Sequence, residues 1–177
     1  MSQLSFFRGG IMNNIDLQCS SGAIFSGDRR YRYALWRVWV EQPKLLFAIG
    51  LNPSTADESL FDPTIIRLCE RAKRNGFGGL LMGNLYAFVS AYPTALKGQD
   101  AIGAETDHWL KRMAAMSKCH LVCWGSFNAV RIRAPIVFNM LSNPVCLGTN
   151  ADGEPKHPLY LSYKRELRPY IPKEVAR

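Results

Sequence analysis

The chain has 177 residues, 47% of them hydrophobic and 20% charged. That balance excludes a disordered chain and suffices for one buried core rather than two. No apolar run approaches the roughly 18 residues of a membrane span. Met1 to Gly10 holds one Arg and no sustained apolar stretch. The expectation is a cytoplasmic protein with neither signal peptide nor membrane contact.

Lys and Arg number 22 against 14 Asp and Glu, a formal charge of +8. Such an excess favours an anionic partner, nucleic acid first, because basic side chains that neutralise phosphates release counterions. A basic but otherwise ordinary enzyme is the alternative. The five cysteines, Cys19, Cys69, Cys119, Cys123 and Cys146, are odd in number and form no C-x-x-C pair. Neither a disulfide framework nor a zinc site follows, and buried thiols are expected.

In chain order, residues 1–16 read as a weakly structured leader punctuated by Gly9-Gly10 and Asn13-Asn14, and residues 17–177 as a single α/β domain. Ala23 to Val40 predicts two antiparallel strands around a Gly27-Asp28-Arg29-Arg30 turn, since its second half is rich in aromatic and β-branched residues. Arg29, Arg30 and Arg32 are candidate phosphate contacts, with Tyr31 and Tyr33 available for stacking. A solvated edge blunted by charge would read the same way.

Leu45 to Ile49 is an apolar run that stops at Gly50-Leu51-Asn52-Pro53-Ser54-Thr55-Ala56-Asp57. It predicts a strand buried on both faces, with Asn52 held extended by the following proline. Asp62-Pro63 predicts a helix start, and Ile65, Ile66, Leu68, Cys69 and Ala72 carry the helical spacing to Asn75-Gly76. Gly79 to Asn84 is a second buried strand. After the Tyr92 to Gly103 connection, Glu105 to Ser117 is helical, Cys119 to Trp124 is a strand closed by Gly125-Ser126, Val130 to Leu141 is helical around Pro135, and Pro144 to Gly148 is the fourth strand.

This alternation predicts a three-layer α/β/α fold with a central four-stranded parallel sheet, plus the amino-terminal antiparallel hairpin. In a parallel sheet, Asn52-Pro53-Ser54, Asn84-Leu85-Tyr86, Gly125-Ser126 and Gly148-Thr149 all fall at the carboxyl edge, where ligands bind.

Asparagine is neutral and both donates and accepts, which suits Asn52 and Asn84 to reading a nucleobase edge. His157 can donate to an oxygen gaining negative charge, and Asp57 can orient a water. The plainer readings are an Asx turn for Asn52, a strand cap for Asn84, a surface histidine, a turn aspartate, and a helix cap for Asp62. Convergence on one rim, rather than any single residue, carries the functional reading. No phosphate-binding glycine loop or nucleophile elbow is present, and His108, His120 and His157 are scattered, so no metal and no cofactor are expected.

The order Gly50-Leu51-Asn52-Pro53, Leu81-Met82-Gly83-Asn84, Val122-Cys123-Trp124-Gly125 and His157-Pro158 resembles the uracil-DNA glycosylase superfamily, whose mismatch-specific branch has Gly-Ile-Asn-Pro-Gly as its first motif. The resemblance implies a four-stranded parallel α/β sheet with helices on both faces. It implies that Asn52 positions water, Asn84 bonds the base, His157 supports the leaving base and Leu159 wedges the duplex. Ser54 stands where that branch has Gly, so uracil specificity is not implied.

The strings Asn-Pro-Ser-Thr-Ala-Asp, Asp-Pro-Thr, Asn-Leu-Tyr-Ala-Phe and His-Pro-Leu-Tyr-Leu also resemble an uncharacterised family of bacterial and phage proteins over most of residues 23–162. The expectation is a DNA glycosylase-like hydrolase acting on double- or single-stranded DNA. Asn52, His157 and Asp57 would be catalytic. Asn84, Tyr86, Phe61, Pro53, Ser54, Gly125 and Ser126 would hold the base, and Leu159, Lys156, Arg29, Arg30 and Arg32 the DNA. A non-catalytic nucleic-acid-binding protein and an N-glycosidase acting on free nucleosides or nucleotides are the alternatives; the sequence sets no oligomeric state.

Overall fold

The computed structural model describes residues 15–18, 20–92, 94, 96 and 99–173. Of the expected leader only Ile15 and Asp16 fall within that range, and Cys19 lies outside it. The fold is mixed α/β, built on a seven-stranded sheet. Its strands are β1 (Ser21–Phe25), β2 (Arg32–Val38), β3 (Leu45–Gly50), β4 (Gly79–Asn84), β5 (Cys119–Val122), β6 (Val145–Cys146) and β7 (Arg168–Pro169). The helices are α1 (Pro63–Arg74), α2 (Thr106–Met116) and α3 (Val130–Phe138).

Spatial order is β1-β2-β4-β3-β5-β6-β7. β3 pairs parallel with β4 and β5, and β5 parallel with β6, whereas β1–β2, β2–β4 and β6–β7 are antiparallel. The hairpin is therefore not an appendage: β2 docks on β4 and extends the sheet. β7 closes the other side from a tail the sequence leaves unassigned, because a two-residue strand has no period to detect.

All six residues of β3 are buried, as are all six of β4. That is the signature of strands covered on both faces. Phe47, Ile49 and Leu81 join Trp109, Leu110 and Met113 of α2 and Val130 and Val137 of α3 in one core. Leu46, Ala48, Leu80 and Met82 join Ile65, Leu68 and Ala72 of α1 in a second. Truncating one fully buried leucine of either core costs about 2–5 kcal/mol.

α1 begins as the sequence predicts, with the Asp62 carboxylate accepting from the Ile65 amide at 2.8 Å and Pro63 in the first turn. It stops at Asn75 and Gly76, whose φ of +74° suits glycine. His120 is buried, its Nε2 facing the carbonyls of Ala114 and Ser117 and its Nδ1 accepting from the Ser142 amide, a structural role.

Candidate functional site at the carboxyl edge of the sheet

The parallel pairing of β4, β3, β5 and β6 brings the segments after all four strands to one edge. β3 lies between β4 and β5, so Asn52 is flanked by Asn84 on one side and Gly125 on the other.

Asn84, the last residue of β4, is 2% exposed, and neither its Nδ2 nor its Oδ1 has a hydrogen-bond partner among the described residues. A buried amide without partners costs roughly 1–3 kcal/mol per unmet group. Its neighbour across the ladder is Gly50, and a Cβ there would meet Met82 Cε at 2.8 Å and Asn84 Oδ1 at 2.9 Å. The Asn84 amide thus lies on the α1 face of the sheet beside Met82, over a backbone that only glycine leaves uncovered.

Asn52 is half-buried, and its Nδ2 donates to the carbonyls of Pro53 (3.0 Å) and Ser90 (2.7 Å). Its Oδ1 accepts from no described residue, so the side chain offers an acceptor and no free donor. Pro53 is buried, its carbonyl also accepting from the Ser90 amide; Ser54 is half-buried.

Three arginines fix the loop from Leu51 to Phe61. A bulge sets Phe25 opposite Arg32 and Ile24 opposite Ala34, turning Arg32 toward the α1 face. Arg32, 2% exposed, donates to the Ala56 carbonyl. Arg37 donates to the carbonyls of Asp57 and Leu60. Arg29 pairs with Glu58 at 2.7 Å while its guanidinium lies 3.9 Å from the Phe25 ring centroid.

Arg32 is therefore a clamp inside the protein and not a phosphate contact, and Arg29 is engaged with a carboxylate. Burial lowers the Arg32 pKa to about 10, against the opposing pull of Asp62. Arg30 stays exposed beside Tyr31 and Phe88.

Asp57 is engaged as well. Its Oδ1 accepts from the Leu60 amide (2.7 Å) and the Ser59 amide (2.9 Å), which hold the carboxyl below its usual pKa. This is the turn reading rather than a free water-orienting carboxylate. Tyr86 packs in the α2/α3 core and donates its hydroxyl to the Ala129 carbonyl, on the opposite side of the sheet from Asn84. It cannot stack on a base that Asn84 reads. Phe61 is 46% exposed with the Arg37 guanidinium 4.5 Å from its centroid, an open aromatic face next to the site.

Gly125, at φ +76°, donates its amide to the Pro155 carbonyl, and a Cβ there would come 3.7 Å from His157 Cβ. His157 is exposed at its surface, yet the surrounding protein pushes its pKa below the usual 6.5, opposed by the Asp62 carboxylate. Its Nδ1 accepts from the Leu159 amide at 3.4 Å, which leaves the proton of the neutral ring on Nε2. Lys156 donates to Asn150 Oδ1 at 3.3 Å, and Ser126 donates to Asp152 at 3.0 Å. Leu159 is half-buried, whereas the next residue, Tyr160, is 91% exposed.

Asp62 was legible only as a helix cap. It is 7% exposed, and its charge bears on Arg32, Arg37 and His157. Arg37 and Tyr160 carry no sequence signal beyond alternation in a strand and a place beside Leu159.

The sequence model of a family described as a protein of unknown function (DUF1643) matches residues 32–159. The chain belongs to this family. The matched span holds Asn52, Asn84, Asp62, His157 and the Arg32 and Arg37 clamps, and leaves out Arg29 and Arg30. No curated protein and no solved structure matches the chain. Among the described residues, no helix is long and apolar enough to cross a membrane.

Proposed function

We propose that the carboxyl edge is the active site of a DNA glycosylase-like hydrolase that cleaves the N-glycosidic bond of an extruded base. One observation carries the reading: the Asn84 amide is buried, unpartnered and opposite a glycine. Both the donor and the acceptor of that amide remain to be satisfied, and a nucleobase edge presents both complements. The parallel strand arrangement and the order of Asn52, Asn84 and His157 support the likeness to the uracil-DNA glycosylase superfamily.

In this reading the base stacks on Phe61 and is held at its edge by Asn84. Asn52 Oδ1 accepts a hydrogen bond from the attacking water. The bond between C1′ and the base nitrogen breaks with its electron pair leaving on the base, the water oxygen bonds C1′, and its proton passes to solvent. His157 donates Nε2–H to the base oxygen that gains negative charge, a contact strongest in the transition state. The exposure of Tyr160 makes it, in place of Leu159, the residue that fills the gap left in the duplex.

The test is mass spectrometry of free bases after incubation with DNAs carrying uracil, mismatches or modified pyrimidines, each beside its free nucleoside. Release from DNA that Asn84→Ala abolishes is expected. Salt-dependent DNA binding with no release from any substrate would replace the enzyme with a binding module, and release from monomers alone would replace the DNA substrate.

A further inference from the structure

On the other face of the sheet from Asn84, a cavity of about 940 Å³ opens between α3, the loop after β5 and the chain that follows β7. That volume lies in the range of small-molecule sites, roughly 300–1,000 Å³. Its floor is aromatic. The Tyr170 ring meets Trp124 and Phe138 edge to face, both at 6.0 Å between centroids. Arg131, Ala134, Pro135 and Phe138 of α3 face it at the i, i+3, i+4, i+7 spacing of one helix side. Phe127 stands at the rim with 45% of its surface exposed.

The polar groups of the wall sort into two sets. Glu154 accepts from the Trp124 indole at 2.8 Å, Asp152 from the Ser126 hydroxyl and the Glu154 amide, and Lys173 donates to the Ala151 carbonyl at 2.7 Å. These bonds orient the three groups against the protein and leave their charges in the wall, the two carboxylates balancing Lys173 and Arg131. Arg131 and the side-chain amides of Asn128 and Asn139 have no partner among the described residues. What the cavity offers a ligand is thus aromatic surface, one guanidinium and two amides, a set rich in donors. Its complement is a planar ring carrying an anionic, acceptor-rich group.

We infer that this cavity is a second site, which binds a nucleoside 5′-monophosphate with its base against the aromatic surface and its phosphate on Arg131. The inference does not rest on the glycosidase reading, since none of Asn52, Asn84 and His157 lines the cavity; of the residues expected to hold the base it shares Ser126 alone.

Calorimetric titration of the full chain with deoxynucleoside 5′-monophosphates, the matching nucleosides and inorganic phosphate tests it. Saturable binding of at least one nucleotide is expected. Arg131→Ala should weaken it about tenfold, toward the affinity of the nucleoside. Phe127→Ala should weaken nucleotide and nucleoside alike. Both Arg131 and Phe127 are exposed, so their removal leaves the fold intact, which circular dichroism checks. No saturable binding at millimolar nucleotide, or binding indifferent to Arg131→Ala, overturns the site. Binding lost in Asn84→Ala but kept in Arg131→Ala moves the nucleotide to the carboxyl edge and overturns it equally.

Discussion

Asn84 lies against Gly50: a Cβ at position 50 would approach the Asn84 Oδ1 to 2.9 Å and Met82 Cε to 2.8 Å. The methionine end can move aside, but the amide is confined between β3 and the α1 face. Gly50→Ala should therefore displace Asn84 at a modest cost in stability, about 1–3 kcal/mol from overpacking. Base release should fall at least as far as in Asn84→Ala. Urea unfolding gives the first quantity and product analysis the second; full activity in a folded Gly50→Ala protein would detach Asn84 from the chemistry.

Asn52 holds two carbonyls with its Nδ2, so its variants should separate by charge and not by size. Asn52→Asp sets a carboxylate oxygen against the carbonyls of Pro53 and Ser90, whereas Asn52→Ala only removes a donor from each, the Pro53 carbonyl keeping the Ser90 amide, at about 1–3 kcal/mol. The Asp variant should be the less stable of the two at pH 7. It should regain stability as pH falls and the new carboxyl acquires a proton to donate. Equal urea midpoints for the two variants at pH 7, or no recovery of the Asp variant in acid, would contradict this arrangement.

His157 provides a pH signature with a definite sign. Its folded pKa is below 6.5, first through the water that the surrounding protein displaces, with Asp62 opposing. The unfolded chain therefore binds its proton more readily, and stability contributed through His157 is lost as pH falls from 6.5 through the folded value. A single titration with a midpoint below 6.5 should appear for His157 in NMR spectra. Asp62→Asn, which preserves a capping side chain for α1, should move that midpoint lower still by removing the carboxylate that raises it. An upward shift would reverse the assigned coupling.

Tyr160 is 91% exposed, one residue past the half-buried Leu159. If it fills the gap in a duplex, Tyr160→Ala should lower base release from double-stranded DNA several-fold and leave a single-stranded substrate nearly unaffected, because only the duplex must be held open. Comparing the two substrates in one assay decides it; equal losses on both would assign Tyr160 to general binding.

Strands and helices with strong periods were legible in the sequence: β3 and β4 as continuous apolar runs, α1 from its Asp62-Pro63 start, α2 from Trp109, Leu110, Met113 and Ala114. The parallel edge followed from their alternation. The partners of the arginines were not legible. Arg32 and Arg37 look alike in a basic strand, and only the bulge at Ile24 and Phe25 and the return of the Leu51–Phe61 loop set them inward, while Arg29 of the preceding turn stays exposed and meets Glu58 of that loop. Tyr86 was misplaced for a related reason, since which side of the sheet a residue meets after a strand ends depends on the turn and not on the period.

The segment that carries His157 is itself held by arginine. Arg71 of α1, 1% exposed, donates to the carbonyls of Arg165 (2.9 Å) and Ser162 (3.0 Å), and Arg67 donates to that of Leu161. Tyr163 sits between them, its centroid 4.3 Å from the Arg67 guanidinium and 5.5 Å from that of Arg71. Arg71→Met keeps the volume and leaves these carbonyls without their donor, which should cost about 2–4 kcal/mol. Arg71→Lys should recover only part of the loss, because an ammonium cannot span carbonyls that a planar fork reaches together. Limited proteolysis should then cut between Leu161 and Arg168 before the β-sheet is attacked. A Lys variant as stable as the parent would mean that charge alone, and not the fork, holds the segment on α1.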